Sequence, residues 1–512
     1  MRNFSFHISA IRGFATVTAL SMALSATAFA QGDDAKLEAI ENAYRSGDLE
    51  TARAGLVEIA ENASGQTQYR LGFMIANSQG GPFDRAEAIR WLESALKNEH
   101  NAGKLLLARV YLTGYPEVVE YERAAELLAD EVKDGNAEAH YYLGQLYRAG
   151  RGVEGNKETS FALLRKSAEA GYADAQFSIA QMYSRGEGVT KDEAQASRWL
   201  LQAAESGNSE AQLSLHFNYL RGTGFPKNEE LAGQWLAAAA EGGHALAQRM
   251  LGAALLFGDG ENAGAEPDRG IALLLIAAQQ NEPGAQTNLG YAYATGTGVE
   301  ANMETAAQWY KRAADQGLIR AALVLGDMYQ AGEGVETDVD QAIHYYQIAA
   351  SGGDKVAAGR LGTLLATGVI PPEEETENGI DWIAAAAELG DADAITWLQA
   401  RLAQRDESYA ALRLGLIYAD GLGHDADAEK AATYLARAAR GGHLLAQERV
   451  ADLYASGSGV EQDIIEAHKW ANVAAANGSE TAAERRDILA NLMTADQIAE
   501  AQDRAKKFLN AQ

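Results

Sequence analysis

Few residue types in this chain are spaced for chemistry. There are nine histidines, and none forms an H-E-x-x-H or other close pair that would hold zinc. His100, His244 and His443 recur at the last place of repeated segments, beside a helix end, where a cation gains from the helix dipole. Asp338-Val339-Asp340 and Asp425-Ala426-Asp427 open like calcium loops. Neither continues to the loop glycine and closing glutamate, so both read as solvated carboxylates at helix starts. The 71 Asp and Glu residues could supply an acid/base pair for glycoside cleavage, but spacing singles out no pair among so many. No nucleophile elbow and no complete Ser-x-x-Lys acylation set is present. Glycine pairs such as Gly150/Gly152 and Gly186/Gly188 follow helical patterns rather than strands and recur throughout the chain, which argues against a phosphate cradle. With no cysteine, thiolate nucleophiles, Cys-ligated zinc, iron–sulfur clusters, disulfides and a lipid anchor on an N-terminal Cys are excluded. The residues therefore point to no catalytic, metal-binding or cofactor-binding group.

Charge narrows the partners. The 512 residues carry 43 Lys plus Arg and a formal charge of −28, which argues against nucleic acid or an anionic membrane surface as the main partner. The apolar share of 47% is enough to bury a core. Residues 1–30 read as an export signal: Arg2 and Arg12, an apolar stretch from Phe14 to Ala26, then Ala28-Phe29-Ala30 before Gln31. The alternative is a retained N-terminal anchor. The longest later apolar stretch, Ile271 to Ala278, covers about two helical turns, far short of a span. A periplasmic or secreted protein is expected, cleaved after Ala30 and without a membrane segment.

The elements come from a repeat. The 36 residues from Ala137 align with those from Ala173, and the match resumes from Ser209, Ala245, Pro283, Ile319, Lys355, Ser408 and Leu444. Weaker copies start at residue 65 and at Asn101, so about eleven copies fill residues 65–479. Each reads as two helices. The first ends in Leu-Gly-x-x-Tyr, as in Leu143, Gly144 and Tyr147, and a glycine pair follows where the chain needs positive φ. Asn156, Asp192, Asn228, Asn302, Asp338 and Asp463 stand where an N-cap opens the second helix. That helix carries Trp91, Trp199, Trp235, Trp309, Tyr345, Tyr434 or Trp470 at one fixed place, which reads as packing rather than as a sugar track. One pair cannot bury its own apolar face, but stacked pairs can. The expected fold is all-α, a right-handed α-solenoid, with helical caps at 31–64 and 480–512 and repeats at 65–391 and 408–479. Residues 392–407 read as an irregular repeat: a hinge, or an insertion of no consequence. Ile370-Pro371-Pro372 and the three glutamates after it break the usual turn just before.

The repeat resembles the Sel-one-like family of tetratricopeptide-like solenoids. The clearest copy spans 283–318, with Leu289, Gly290, Gly296, Gly298, Val299, Trp309, Tyr310, Ala313, Ala314 and Gly317. Ala108, Ala180 and His216 depart from the helix glycine. The resemblance implies a non-catalytic adaptor that offers a concave surface to proteins. Exported bacterial members are associated with exopolysaccharide secretion, regulation of sensor kinases and host-cell interaction. Cysteine-rich members described as penicillin binders carry a disulfide in each repeat, and this chain has none.

If first helices line the inner surface, the ninth place of each copy faces a ligand. Phe73, Arg109, Gln145, Gln181, Phe217, Tyr291 and Asp327 stand there, an aromatic and polar mixture suited to a peptide or partner helix. Ordinary packing or solvent roles are the alternative for each of them. The expected function is a periplasmic scaffold with protein partners in the cell envelope. Polysaccharide is a further possible ligand, and an envelope hydrolase or glycan-binding protein is the alternative class.

Overall fold

The structure, a computed structural model, describes residues 34–114, 119–258, 266–369, 377–405, 408–423 and 425–511. The export-signal segment 1–30 lies outside them. Those residues hold 27 α-helices and no strand, and within each unit most helices pack on their neighbours in sequence, making an all-α solenoid.

The chain divides into two compact units, residues 1–248 and 249–512. The first begins with Asp34–Ser46 and Leu49–Ile59 and continues as helix pairs, such as Ala137–Ala149 with Lys157–Glu169 and Ala173–Arg185 with Glu193–Glu205. The second stacks pairs such as Pro283–Thr295 with Met303–Ala314 and ends with Glu480–Ala490 and Ala495–Leu509. The weak copy from Asn101 is also a pair, Lys104–Tyr111 with Tyr121–Lys133, its first helix cut to 8 residues by a preceding 3-10 turn. Residues 392–405 form one unpaired helix, anchored by Ala394, Leu398 and Leu402, each at most 2% exposed. Both it and the following helix, Ser408–Asp420, pack on Glu377–Glu388.

Within a pair, the helix glycine sets the approach. A β-carbon on Gly144 would come within 2.8 Å of Leu164, and one on Gly326 within 2.6 Å of Tyr346. Where Ala108, Ala180 and His216 replace it, the residue opposite is Leu128, Leu200 or Leu236, never the larger tyrosine. His216 is buried and its Nδ1 lies 2.9 Å from the Ala232 carbonyl oxygen, so the imidazole finds a backbone partner in the space left.

The turn between paired helices uses its two glycines differently. Gly186 caps the first helix in the left-handed region, at φ 69°. Gly188 has φ 65° and also lies against the preceding pair. A β-carbon there would overlap the Lys157 carbonyl, the first residue of that pair's second helix. The same overlap awaits one on Gly80 at Leu49, on Gly152 at Tyr121, on Gly334 at Met303 and on Gly459 at Ala428. The turn closes when the Asp192 N–H donates to the Tyr183 carbonyl, 3.0 Å away, and Asp192 then caps the next helix through its side chain. Asn156, Asn228, Asn302, Asp338 and Asp463 cap in the same way.

The tryptophan place packs, but at the rim. Trp91, Tyr345 and Trp470 are buried, whereas Trp199, Trp235, Trp309 and Tyr434 are half-buried. The fully covered place is the next one, held by residues such as Leu92, Leu164, Tyr346 and Leu435.

Gly186→Ala and Gly188→Ala separate these roles. The first should cost only the left-handed strain, about 1–2 kcal/mol. The second should add backbone overlap with the neighbouring pair, a further cost of about 1–3 kcal/mol. Urea unfolding of the two variants checks the order; equal losses would contradict it.

Candidate interaction surface

A side chain absent from the sequence motif ties the pairs together. Gln68, Gln176, Gln212, Gln248, Gln286 and Gln447 hold the fourth place of their copies and are at most 8% exposed. Each amide Nε2 donates to a carbonyl eight residues earlier, in the last turn of the preceding second helix or the 3-10 turn that extends it; Gln212 reaches Ala204 at 3.0 Å. In three copies the amide oxygen accepts a second bond, from Asn98, Gln316 or Asn477. Ser206 and Gly242 replace that donor elsewhere, and the buried oxygens of Gln176 and Gln212 have no partner. The recurrence of glutamine at a fixed place was the available signal.

With these contacts on one side, the second, fifth, sixth and ninth places of the first helices share another face. Arg109 and Glu138 pair at 3.4 Å, Gln145 donates to Ser178 at 2.9 Å, and Arg360 donates to Asp327 at 3.2 Å. Each of these contacts joins the ninth place of one copy to the first helix of the next. Asp327 also accepts from the Tyr346 hydroxyl. Phe73 packs beside Tyr69, and Phe217 lies under the Arg221 guanidinium. Gln181 is half-buried, and Tyr291 is 48% exposed with its ring edge against Phe257. The seven ninth-place residues therefore lie on one kind of face, four in the first unit besides Phe217 and two in the second, rather than converging on one pocket.

A cluster on this face joins residues outside the ninth place. In the first unit, the Tyr141 ring lies 5.3 Å from Tyr142 and 5.1 Å from Tyr172. Glu138 and Asp174 flank them at the second place of successive copies. Burial pushes both carboxyls above the usual carboxylate range; Arg109 opposes this at Glu138, and Asn208, donating at 2.7 Å, opposes it at Asp174. Burial likewise raises the three tyrosine hydroxyls.

Other candidates resolve into structure. Asp338 and Asp427 cap helices by accepting from the Gln341 and Lys430 N–H groups, each at 3.0 Å. An open cleft beside Asp427 is lined by Ile395, Tyr418 and Lys430, and Lys430 is spent on Asp427 and on the Tyr418 ring. The helix-dipole reading of the histidines is corrected for His244. Its Nδ1 accepts from the Ala247 N–H at 3.4 Å, so it acts at the start of the next helix. Among the described residues no group of three or more His, Asp or Glu could hold a metal, and no helix is long and apolar enough to cross a membrane.

These stacked pairs define a repeat scaffold of the tetratricopeptide-like kind. Ten segments match the family described as Sel1 repeat: 65–100, 137–172, 173–208, 209–244, 245–282, 283–318, 319–354, 356–391, 408–443 and 444–479. They cover more than two thirds of the chain, which belongs to the Sel1 repeat family; its repeats build helical protein-interaction scaffolds. Residues 101–136 are not matched, although they form a pair. Among solved structures, the chain is similar to c5321, a protective antigen of uropathogenic Escherichia coli strains with an SLR fold: 28% identity, covering 90% of this chain and 94% of that one, TM-score 0.49. It is also similar to a Sel1 repeat protein of Oxalobacter formigenes, at 30% identity over 48% of this chain and 96% of that one, TM-score 0.39. A curated relative, an uncharacterised protein of Neisseria meningitidis serogroup B, is 32% identical over 96 residues. That match spans 19% of each protein.

Two predictions follow from this chemistry. Ser206→Asn places an amide donor where Asn98 and Asn477 already stand in the same backbone conformation. Satisfying the Gln176 oxygen should stabilise the fold by about 1 kcal/mol, read as a raised urea midpoint. The raised carboxyls of Glu138 and Asp174 cost stability above their unfolded range, and the cost fades as pH falls through their folded values. The double variant Glu138→Gln/Asp174→Asn should therefore unfold at higher urea than the natural chain near neutral pH, with the gap closing on acidification.

Proposed function

We propose that this protein is a non-catalytic scaffold of the bacterial cell envelope that holds protein partners along its first-helix face. The signal-like pattern of residues 1–30 supports export to the periplasm or beyond. The observation that carries the binding reading is the division of labour within the repeat. Glycine, glutamine and the apolar places hold the stack, while the ninth place varies among Phe73, Arg109, Gln145, Gln181, Phe217, Tyr291 and Asp327 and keeps them only partly covered. Aromatic and polar groups repeated at that spacing suit an extended segment or a helix lying across several copies. Envelope signalling and exopolysaccharide secretion are the settings this reading favours.

The experiment is crosslinking in intact cells with a tagged chain, followed by mass spectrometry of what co-purifies. A stoichiometric protein partner is expected, lost when Phe73, Arg109, Gln145 and Gln181 are changed together to alanine. A correctly exported and folded chain that captures no reproducible protein partner would overturn the reading.

A further inference from the structure

We propose that the cluster of Glu138, Tyr141, Tyr142, Tyr172 and Asp174 receives lysine or arginine side chains from an extended partner segment. This rests on the scaffold reading and names the chemistry of the segment it would hold.

Charge complementarity is the first argument. The chain carries a formal charge of −28, and on this face acids hold the second place of three successive copies, Glu138, Asp174 and Glu210. The partners of Glu138 and Asp174 compensate them only in part. Glu138 has the half-covered Arg109 at 3.4 Å, Asp174 has the neutral amide of Asn208, and Glu210 has His244 at 3.3 Å. Among the described residues, no cation pairs with Asp174. Burial holds Glu138 and Asp174 above the usual carboxylate range despite these contacts, so an incoming cation gains more there than at a solvated carboxylate.

The rings supply the second argument. Beside these acids the Tyr141 ring lies 5.3 Å from Tyr142 and 5.1 Å from Tyr172. Aromatic faces attract a cation, and partial desolvation strengthens the attraction. A neutral glycan would draw on the rings but would leave the under-compensated carboxylates unused.

Spacing points to an extended chain. The Gln145–Ser178 hydrogen bond brings the first helices of neighbouring copies into contact, and packed helices lie about 8–10 Å apart. A segment in the extended polyproline II conformation advances about 3.1 Å per residue and brings every third side chain to the same side, so basic residues at every third position would meet successive copies.

The test uses the mature chain and an unstructured Gly/Ser peptide bearing lysine at every third position, with glutamine in place of lysine as the comparison. Calorimetry should show binding of the lysine peptide and at least about tenfold weaker binding of the glutamine peptide. Affinity should fall with added salt and as pH drops through the raised carboxylate range, because protonation removes the charge the lysines require. Glu138→Gln/Asp174→Asn should lose about tenfold, whereas Glu158→Gln/Glu193→Gln, an equal charge change on the second helices, should not. Tyr142→Ala should weaken binding and Tyr142→Phe should retain it. Equal binding of the lysine and glutamine peptides overturns the proposal, as does an unaltered affinity in the Glu138/Asp174 variant. So does a neutral oligosaccharide that binds this face while the lysine peptide does not. A chain that still captures a protein in cells while failing these tests refutes the cation site alone; failure of both removes the scaffold reading as well.

Discussion

The backbone of one turn must come against the first turn of the preceding second helix, and only glycine permits it. Gly80, Gly152, Gly188, Gly334 and Gly459 each stand where a β-carbon would overlap a carbonyl at the start of that helix. Their positive φ adds a second reason for glycine. This close contact lets a pair with an incomplete core lean on its neighbour; it recurs at these five turns, while a β-carbon on Gly224 or Gly298 would meet only side chains, Ser197 or Leu256 first. The buried glutamines complete the joint from the other end of the preceding second helix. Leaving such an amide half-satisfied is costly in a dry site, and the orphaned oxygens of Gln176 and Gln212 mark two joints that are weaker than they need be.

Because so much of the repeat is committed to stacking, variation is confined to a few places. The first-helix face carries most of it, and some is spent on contacts between copies, as in Arg109–Glu138 and Gln145–Ser178. What remains in the first unit is polar, aromatic and acidic. Half-buried carboxylates that are only partly compensated weaken a fold, and a scaffold that keeps them would gain a place to hold a basic partner. Stability and binding pull in opposite directions at Glu138 and Asp174, as they commonly do at functional surfaces.

Much of the fold was legible because it is periodic. Leucine, glycine and alanine places repeat every 36 residues, N-cap residues fall at fixed spacing, and these local rules agree with the global stack. The glutamine joint went unread because its partner is a backbone carbonyl, which leaves no residue type in the pattern. The distinct work of Gly186 and Gly188 was also hidden, since both need positive φ and only one meets a neighbour. The tryptophan place was assigned to packing, yet the covered place is one residue later, a distinction that depends on how each helix is rotated. The ninth place was chosen by register alone. The Tyr141–Tyr142–Tyr172 cluster forms between a first helix and the residue that precedes the next, a juxtaposition that spacing along one helix does not show.

Within each unit, pairs are held by their immediate neighbours through these joints. Hydrogen exchange of the protein with and without Gly188→Ala tests this. The account predicts faster exchange in residues 137–208, the two copies that meet at Gly188, with remote copies such as 408–479 unchanged. Uniform loosening along the whole chain, or no change beside Gly188, would contradict it.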